Sequence, residues 1–172
     1  MIDAELMNLA GKTLDHARRV GAMIVTAESC TGGLVAGTLT AVPGSSDVVF
    51  GGYVTYANEA KVALGVDSAV LAAHGAVSEA VARALAQCAQ KQAMAAAGAR
   101  VVSVAVTGVA GPGGGSSEKP VGLVHFAAAG DAVIHKPYRF GALDRSEIRR
   151  RSVIAALQLL GEAMGSGASS SR

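Results

Sequence analysis

The stretch "TAESCTGG", Thr26 to Gly33, follows the apolar run "AMIV" and precedes "LVAGTL". A turn requires glycine, and a helix start requires one capping oxygen. Neither requires a carboxylate, a hydroxyl, a thiol and a second hydroxyl in succession. A short buried strand at 22–27 that hands over, through this polar turn, to a helix beginning near Thr31 is a βα unit. Open α/β sheets bind ligands at the carboxyl ends of their strands. An N-cap role for Ser29 or Thr31 accounts for one of these side chains, not for four in one turn, so the stretch reads as a site. Gly32 and Gly33 let a ligand approach the backbone, and the N–H groups of a helix start suit a phosphate or an oxyanion.

Outward from this unit the chain alternates in the same way. Leu6, Leu9, Ala10, Leu14 and Ala17 recur at three- and four-residue steps, which predicts a helix over 3–20 ended by Gly21. Pro43 and Gly44 stop the second helix. The β-branched and aromatic run at 48–57 predicts a strand, in which Gly51 and Gly52 mark a bulge or a close backbone approach. Asn58 is the expected cap of a short helix carrying Glu59 and Lys61 and closed by Gly65. Ser78 caps a helix that runs to Ala97 and ends at Gly98, and "VVSVAVTG" (101–108) is a third strand. After the glycine-rich "VAGPGGGSSEKP", two apolar runs pair as a hairpin around Gly130 and Asp131. Asp144 caps a last helix with Ile154, Leu157, Leu160 and Met164 on one face. The order predicts one α/β domain over 1–164, a mixed sheet of about five strands with helices on both faces, and a disordered tail at 165–172.

Composition excludes several classes. Hydrophobic residues make up 51% and charged residues 16%, which rules out a mainly disordered chain. The net charge is only +2, and the "RRR" at Arg149–Arg151 reads as a solvated helix face. Without an RNP-like aromatic motif, zinc-finger spacing or a basic arm, no nucleic-acid partner is expected. Cys30 and Cys88 make no disulfide framework and lack metal-ligand spacing, so a reduced cytoplasm and no metal are expected. The N-terminus does not read as a signal peptide, and no apolar run reaches the ~18 residues of a membrane span. The Ala/Gly-rich surface supports self-association, and a homodimer is expected.

A serine nucleophile needs a base, and the G-x-S-x-G elbow is missing. His16 sits on the first helix, His125 and His135 on hairpin strands as packing or cross-strand residues, and His74 at a helix end. Lysine is the other option. Lys61 follows the glycine-bearing strand, and spacing alone leaves it open between a base and a solvated surface residue.

The blocks "TAESCTGG", "PGSSDVVFGGYVTYANEAKVALGV", "HGAVSE" and "VTGVAGPGGGSSEKPVGLV" together resemble the nicotinamide-nucleotide amidase family, the C-terminal domain family of the competence/damage-inducible protein CinA. The resemblance covers roughly residues 5–164. It implies a three-layer α/β/α sandwich and hydrolysis of nicotinamide mononucleotide to nicotinate mononucleotide and ammonia, with neither metal nor cofactor. It further implies Ser29 as nucleophile, Lys61 as base and Tyr56 as an assisting hydroxyl. Departures at Ala80 and in "LAQCAQ" fall on a helix away from the four blocks. The amide chemistry asks Lys61 to be neutral, hence desolvated or close to positive charge. Backbone N–H groups from Cys30, Thr31, Gly32 and Gly33 are the expected oxyanion donors. For the phosphate, the loop from Thr107 through Gly108 and Gly111 to Gly115 can form an anion nest, and Ser45, Ser46 and Arg145 are further candidates. Two alternatives stand beside this reading: Cys30 as the nucleophile, and a nucleotide-binding regulatory module that does not turn over.

Overall fold

The computed structural model describes residues 2–165. In chain order these form α1 (Ala4–Val20), β1 (Met23–Glu28), α2 (Leu34–Thr40), β2 (Val49–Val54), α3 (Asn58–Leu64), α4 (Ser68–His74), α5 (Glu79–Ala97), β3 (Val101–Gly108), β4 (Leu123–Ala129), β5 (Val133–Arg139) and α6 (Arg145–Met164). The sheet order is β2-β1-β3-β4-β5. β1 runs parallel to β2 and β3, whereas β4 is antiparallel to both β3 and β5. This is the mixed five-stranded sheet that the strand spacing predicts.

Period-two alternation along the central strands builds two cores. Ile24, Val102, Val104, Val106, Val124 and Phe126 face α1, α2 and α6. Val25, Ala27, Ala105, Ala127 and Ala129 face α5. Because both faces are covered, β1 and β3 are buried almost throughout. The alanines have a packing reason. Ala82, Ala86, Ala89 and Ala93 of α5 lie against the sheet's small residues, so helix and sheet approach closely. On the opposite face larger side chains such as Leu14, Phe126, Leu157 and Leu160 fill the space, each contributing about 1.5–3 kcal/mol by burial.

Register places the site. Glu28 pairs with Val54 on one side and Val106 on the other, so the carboxyl ends of the three parallel strands lie level. The expected close approach is at Gly52. A Cβ there would lie 2.6 Å from Thr26 Oγ1 and 2.9 Å from the Ala36 Cβ, which is why β2 and α2 meet across glycine. The bulge lies just before it, where the β1–β2 register shifts between Ile24 and Val25.

Several boundaries differ from expectation. The first strand includes Glu28, and α2 begins at Leu34 rather than near Thr31, because Cys30–Gly33 are consumed by the turn. β2 stops at Val54. The cap of α3 is Ala57, with no side-chain hydrogen bond, and Asn58 is the first helical residue. Of α4 the sequence reading places only the end, at His74. The signal of its start is Asp67, whose side chain accepts from Ala69 N–H at 2.8 Å. The caps at Ser78, Gly98 and Asp144 stand where the sequence places them. The expected disordered tail lies outside the described residues apart from Gly165. No helix among the described residues is long and apolar enough to cross a membrane.

Candidate functional site

The polar turn leaves β1 at the level strand ends. Its helix cap, Gly33, has φ +94° and no side-chain oxygen to offer the first N–H groups of α2. Glu28 supplies the missing acceptors from the strand. Its Oε2 accepts from Gly33 N–H and Val35 N–H, both at 3.0 Å, and its Oε1 from Ala36 N–H at 2.8 Å and Thr26 Oγ1 at 3.1 Å. The side chain is fully buried, and four donors satisfy its four lone-pair positions. The turn amides divide accordingly. Gly32 N–H donates to Ser29 O at 3.1 Å and Gly33 N–H to Glu28. This corrects the expectation of four oxyanion donors. Among the described residues only Cys30 N–H and Thr31 N–H of that set take neither a backbone nor a carboxylate acceptor.

Ser29 is half-buried, held by its N–H donating to Val106 O at 2.9 Å. Lys61 reaches it from α3, with Nζ 3.2 Å from Ser29 Oγ, 2.8 Å from Thr55 O and 3.1 Å from Tyr56 O. Lys61 is 1% exposed and has no carboxylate within ion-pair distance among the described residues. The surface-lysine reading is therefore excluded by position. Burial lowers its pKa below the ordinary lysine value, with Cys30 and Glu59 acting in the opposite direction. Nζ donates to the two backbone carbonyls, and its third contact is with the Ser29 hydroxyl. Cys30 is buried as well, with the opposite consequence for its reactivity. Burial pushes its thiol up to about 12, and the Glu28 carboxylate adds to that shift. A thiol held protonated is a poor nucleophile.

Tyr56 lies beside the dyad, but its roles divide between atoms. The backbone carbonyl holds Lys61, whereas the exposed hydroxyl accepts from Arg145 Nη2 at 3.1 Å. Arg145 also donates through Nη1 to Gly111 O at 2.8 Å, tying the glycine-rich loop to the same mouth. One turn further along α6, Arg149 donates to Thr31 O at 2.8 Å. Neither guanidinium has a carboxylate partner among the described residues, although Arg150 pairs with Asp3 and Glu5, and Arg151 with Glu147. The "RRR" cluster is thus only partly a solvated face. Arg149 is the site residue that sequence reading missed, and Glu28, read as part of the polar stretch, was given no role of its own. The i, i+4 spacing of Arg145 and Arg149 was the available signal.

Other candidates fall elsewhere. Ser45 and Ser46 precede β2, whose first residue Val49 pairs with Ile24, so they lie at the opposite end of the sheet from Ser29. Parallel pairing separates them from the nucleophile by the length of a strand. Thr107 is buried with its hydroxyl donating to Ala76 O at 2.7 Å, which fixes the loop before α5. Gly108 is a packed strand residue, where a Cβ would lie 2.7 Å from Leu123 O. His125 Nδ1 and His135 Nε2 are 3.0 Å apart across β4 and β5, in keeping with the packing or cross-strand role expected of each. No cluster of three or more His, Cys, Asp or Glu residues among those described is arranged to hold a metal ion.

A three-layer α/β domain with a serine and a buried lysine at the carboxyl ends of its parallel strands defines the class. Residues 6–164 match the CinA C-terminal domain family, and the chain belongs to it. It is 51% identical over 141 residues to a CinA-like protein of Anaeromyxobacter dehalogenans, covering 81% of this chain and 33% of that protein. A putative competence-damage inducible protein of Symbiobacterium thermophilum is 60% identical over 111 residues, covering 64% of this chain and 25% of that one. The chain therefore spans about a third of the length of such curated relatives or less. Among solved structures, competence/damage inducible protein CihA from Agrobacterium tumefaciens superposes with a TM-score of 0.88 at 44% identity, covering 96% of this chain and 99% of that one. A CinA superfamily protein from Escherichia coli gives 0.82 at 32% identity, over 90% of this chain and 88% of its own.

Proposed function

We propose that this domain is an amidohydrolase that converts nicotinamide mononucleotide to nicotinate mononucleotide and ammonia through Ser29 and Lys61. One observation carries the reading. A lysine that is 1% exposed, with no carboxylate partner among the described residues, places its amine 3.2 Å from a serine hydroxyl at the sheet's ligand-binding end. Lys61 takes the Ser29 proton as Oγ adds to the carboxamide carbon. The N–H groups of Cys30 and Thr31 meet the tetrahedral oxyanion, where one donor is worth about 3 kcal/mol. The protonated Lys61 then gives its proton to the departing ammonia and leaves a Ser29 ester. Water, deprotonated by Lys61, attacks the ester, and the carboxylate leaves as Ser29 regains its proton. Arg145 and Arg149, unpaired by carboxylates among the described residues, are suited to the phosphate. The pyridinium of the substrate adds a positive charge that favours neutral Lys61.

The test is ammonia release from nicotinamide mononucleotide, with nicotinate mononucleotide identified as co-product. Stoichiometric appearance of both supports the reading. Tight binding of the nucleotide with no ammonia would leave a binding module in its place.

A further inference from the structure

We infer that Glu28 is a positioning residue for the serine–lysine pair, an inference that rests on the reading above. Its place in the chain is unusual for a capping group. Side-chain caps ordinarily come from the residue next to the helix, but α2 is preceded by Gly33, which has no oxygen. The carboxylate five residues back replaces it. Three of the four donors it accepts are backbone N–H groups beyond the Ser29–Gly32 turn, and the fourth is Thr26 Oγ1, two residues before Glu28 on β1. All four donors converge on the two carboxyl oxygens at the N-terminal end of α2. The turn that carries Ser29 is closed at one end by the Glu28 backbone and at the other by the Glu28 side chain.

The same residue holds the base from its other side. Glu28 O accepts from Thr55 N–H at 2.7 Å, and the next backbone group, Thr55 O, accepts from Lys61 Nζ at 2.8 Å. Nucleophile and base are thus both referred to one buried residue, through its carboxylate and its carbonyl respectively. Two consequences follow. By occupying the amides of Gly33, Val35 and Ala36, Glu28 denies the α2 N-terminus to the substrate and directs an oxyanion to Cys30 and Thr31. The Glu28 carboxylate, two residues away, also disfavours the Cys30 thiolate, which keeps serine as the reacting group.

Glu28→Gln tests this. Glutamine keeps the shape but offers one acceptor oxygen, and its NH2 group then faces N–H donors. The Ser29–Lys61 geometry loosens while the substrate contacts at Arg145 are untouched. With ammonia release from nicotinamide mononucleotide as the assay, kcat per folded molecule is expected to fall at least 30-fold with KM changed less than threefold. Ser78→Ala, which removes the cap of α5 away from the site, is the control. It lowers stability and leaves kcat per folded molecule unchanged. Thr26→Val removes one donor to Oε1 and is expected to lower kcat about threefold to tenfold, and it carries the test if Glu28→Gln does not fold. A folded Glu28→Gln with kcat within threefold of wild type overturns the inference, as does a loss matching only the unfolded fraction. If Glu28→Gln does not fold, a Thr26→Val kcat equal to wild type overturns it. Failure of the underlying reading is separate, because the wild-type protein would then release no ammonia.

Discussion

Replacing Lys61 by methionine and by arginine separates a base from a phosphate anchor. Methionine keeps most of the stem volume in a site that is 1% exposed and removes the amine. Thr55 O, buried, then loses a donor, which costs about 1–3 kcal/mol. The desolvation of an amine is relieved at the same time, so the melting temperature should move by no more than about 4 °C. Catalysis should suffer far more. A general base contributes about 10²-fold or more, so kcat should fall at least ~100-fold, equivalent to about 2.7 kcal/mol of barrier. Arginine retains the charge but does not deprotonate near neutrality, and it should be equally inactive. The assay is ammonia release across pH with folding checked by circular dichroism. Because Lys61 must be neutral to act and burial depresses its pKa, the wild-type rate should rise with pH through a midpoint below the ordinary lysine value and then level off. An active Lys61→Arg with the wild-type pH profile would refute the base assignment.

If Arg145 holds the phosphate, Arg145→Ala should raise KM for nicotinamide mononucleotide at least ~10-fold. It should leave turnover of the riboside, which lacks the phosphate, within twofold of wild type, and steady-state kinetics on both substrates checks this. The histidine pair predicts an acid limb of stability. Burial lowers the pKa of both His125 and His135, opposed in each by Glu79 and reinforced by nearby Arg and Lys charges. The unfolded chain therefore binds more protons, and stability held above about pH 6.5 is lost as pH falls through the depressed values. Denaturation midpoints should decline over that window in wild type. The decline should be shallower in the double variant His125→Gln, His135→Gln.

The layers and most helix ends were legible because they rest on local chemistry: apolar periodicity, the caps at Ser78 and Asp144, and glycine at 21, 65 and 98. The site was legible only where one stretch held it. "TAESCTGG" announced itself, but which of its amides stay free depends on Glu28 reaching five to eight residues ahead, a tertiary arrangement of strand and helix. Lys61 lies 32 residues from Ser29, and nothing in its neighbours' types fixes its burial. That follows from the β1–β2 register, which brings Thr55 and α3 over the strand ends. Ser45 and Ser46 were misassigned for the converse reason. They look like phosphate ligands in sequence, but a parallel neighbour strand begins at the far end of the sheet. Tyr56 contributes through its carbonyl as well as its hydroxyl, which no reading of side-chain types reveals.

The claim at the centre is that the serine, not the adjacent cysteine, attacks the carboxamide. Ammonia release from nicotinamide mononucleotide by Ser29→Ala and Cys30→Ser, side by side, tests it most directly. With the Cys30 thiol pushed up to about 12 and the Lys61 amine against Ser29 Oγ, Ser29→Ala should release no ammonia above background while still binding the nucleotide. Cys30→Ser should retain at least a third of wild-type kcat. Turnover that survives in Ser29→Ala and disappears in Cys30→Ser would contradict the account.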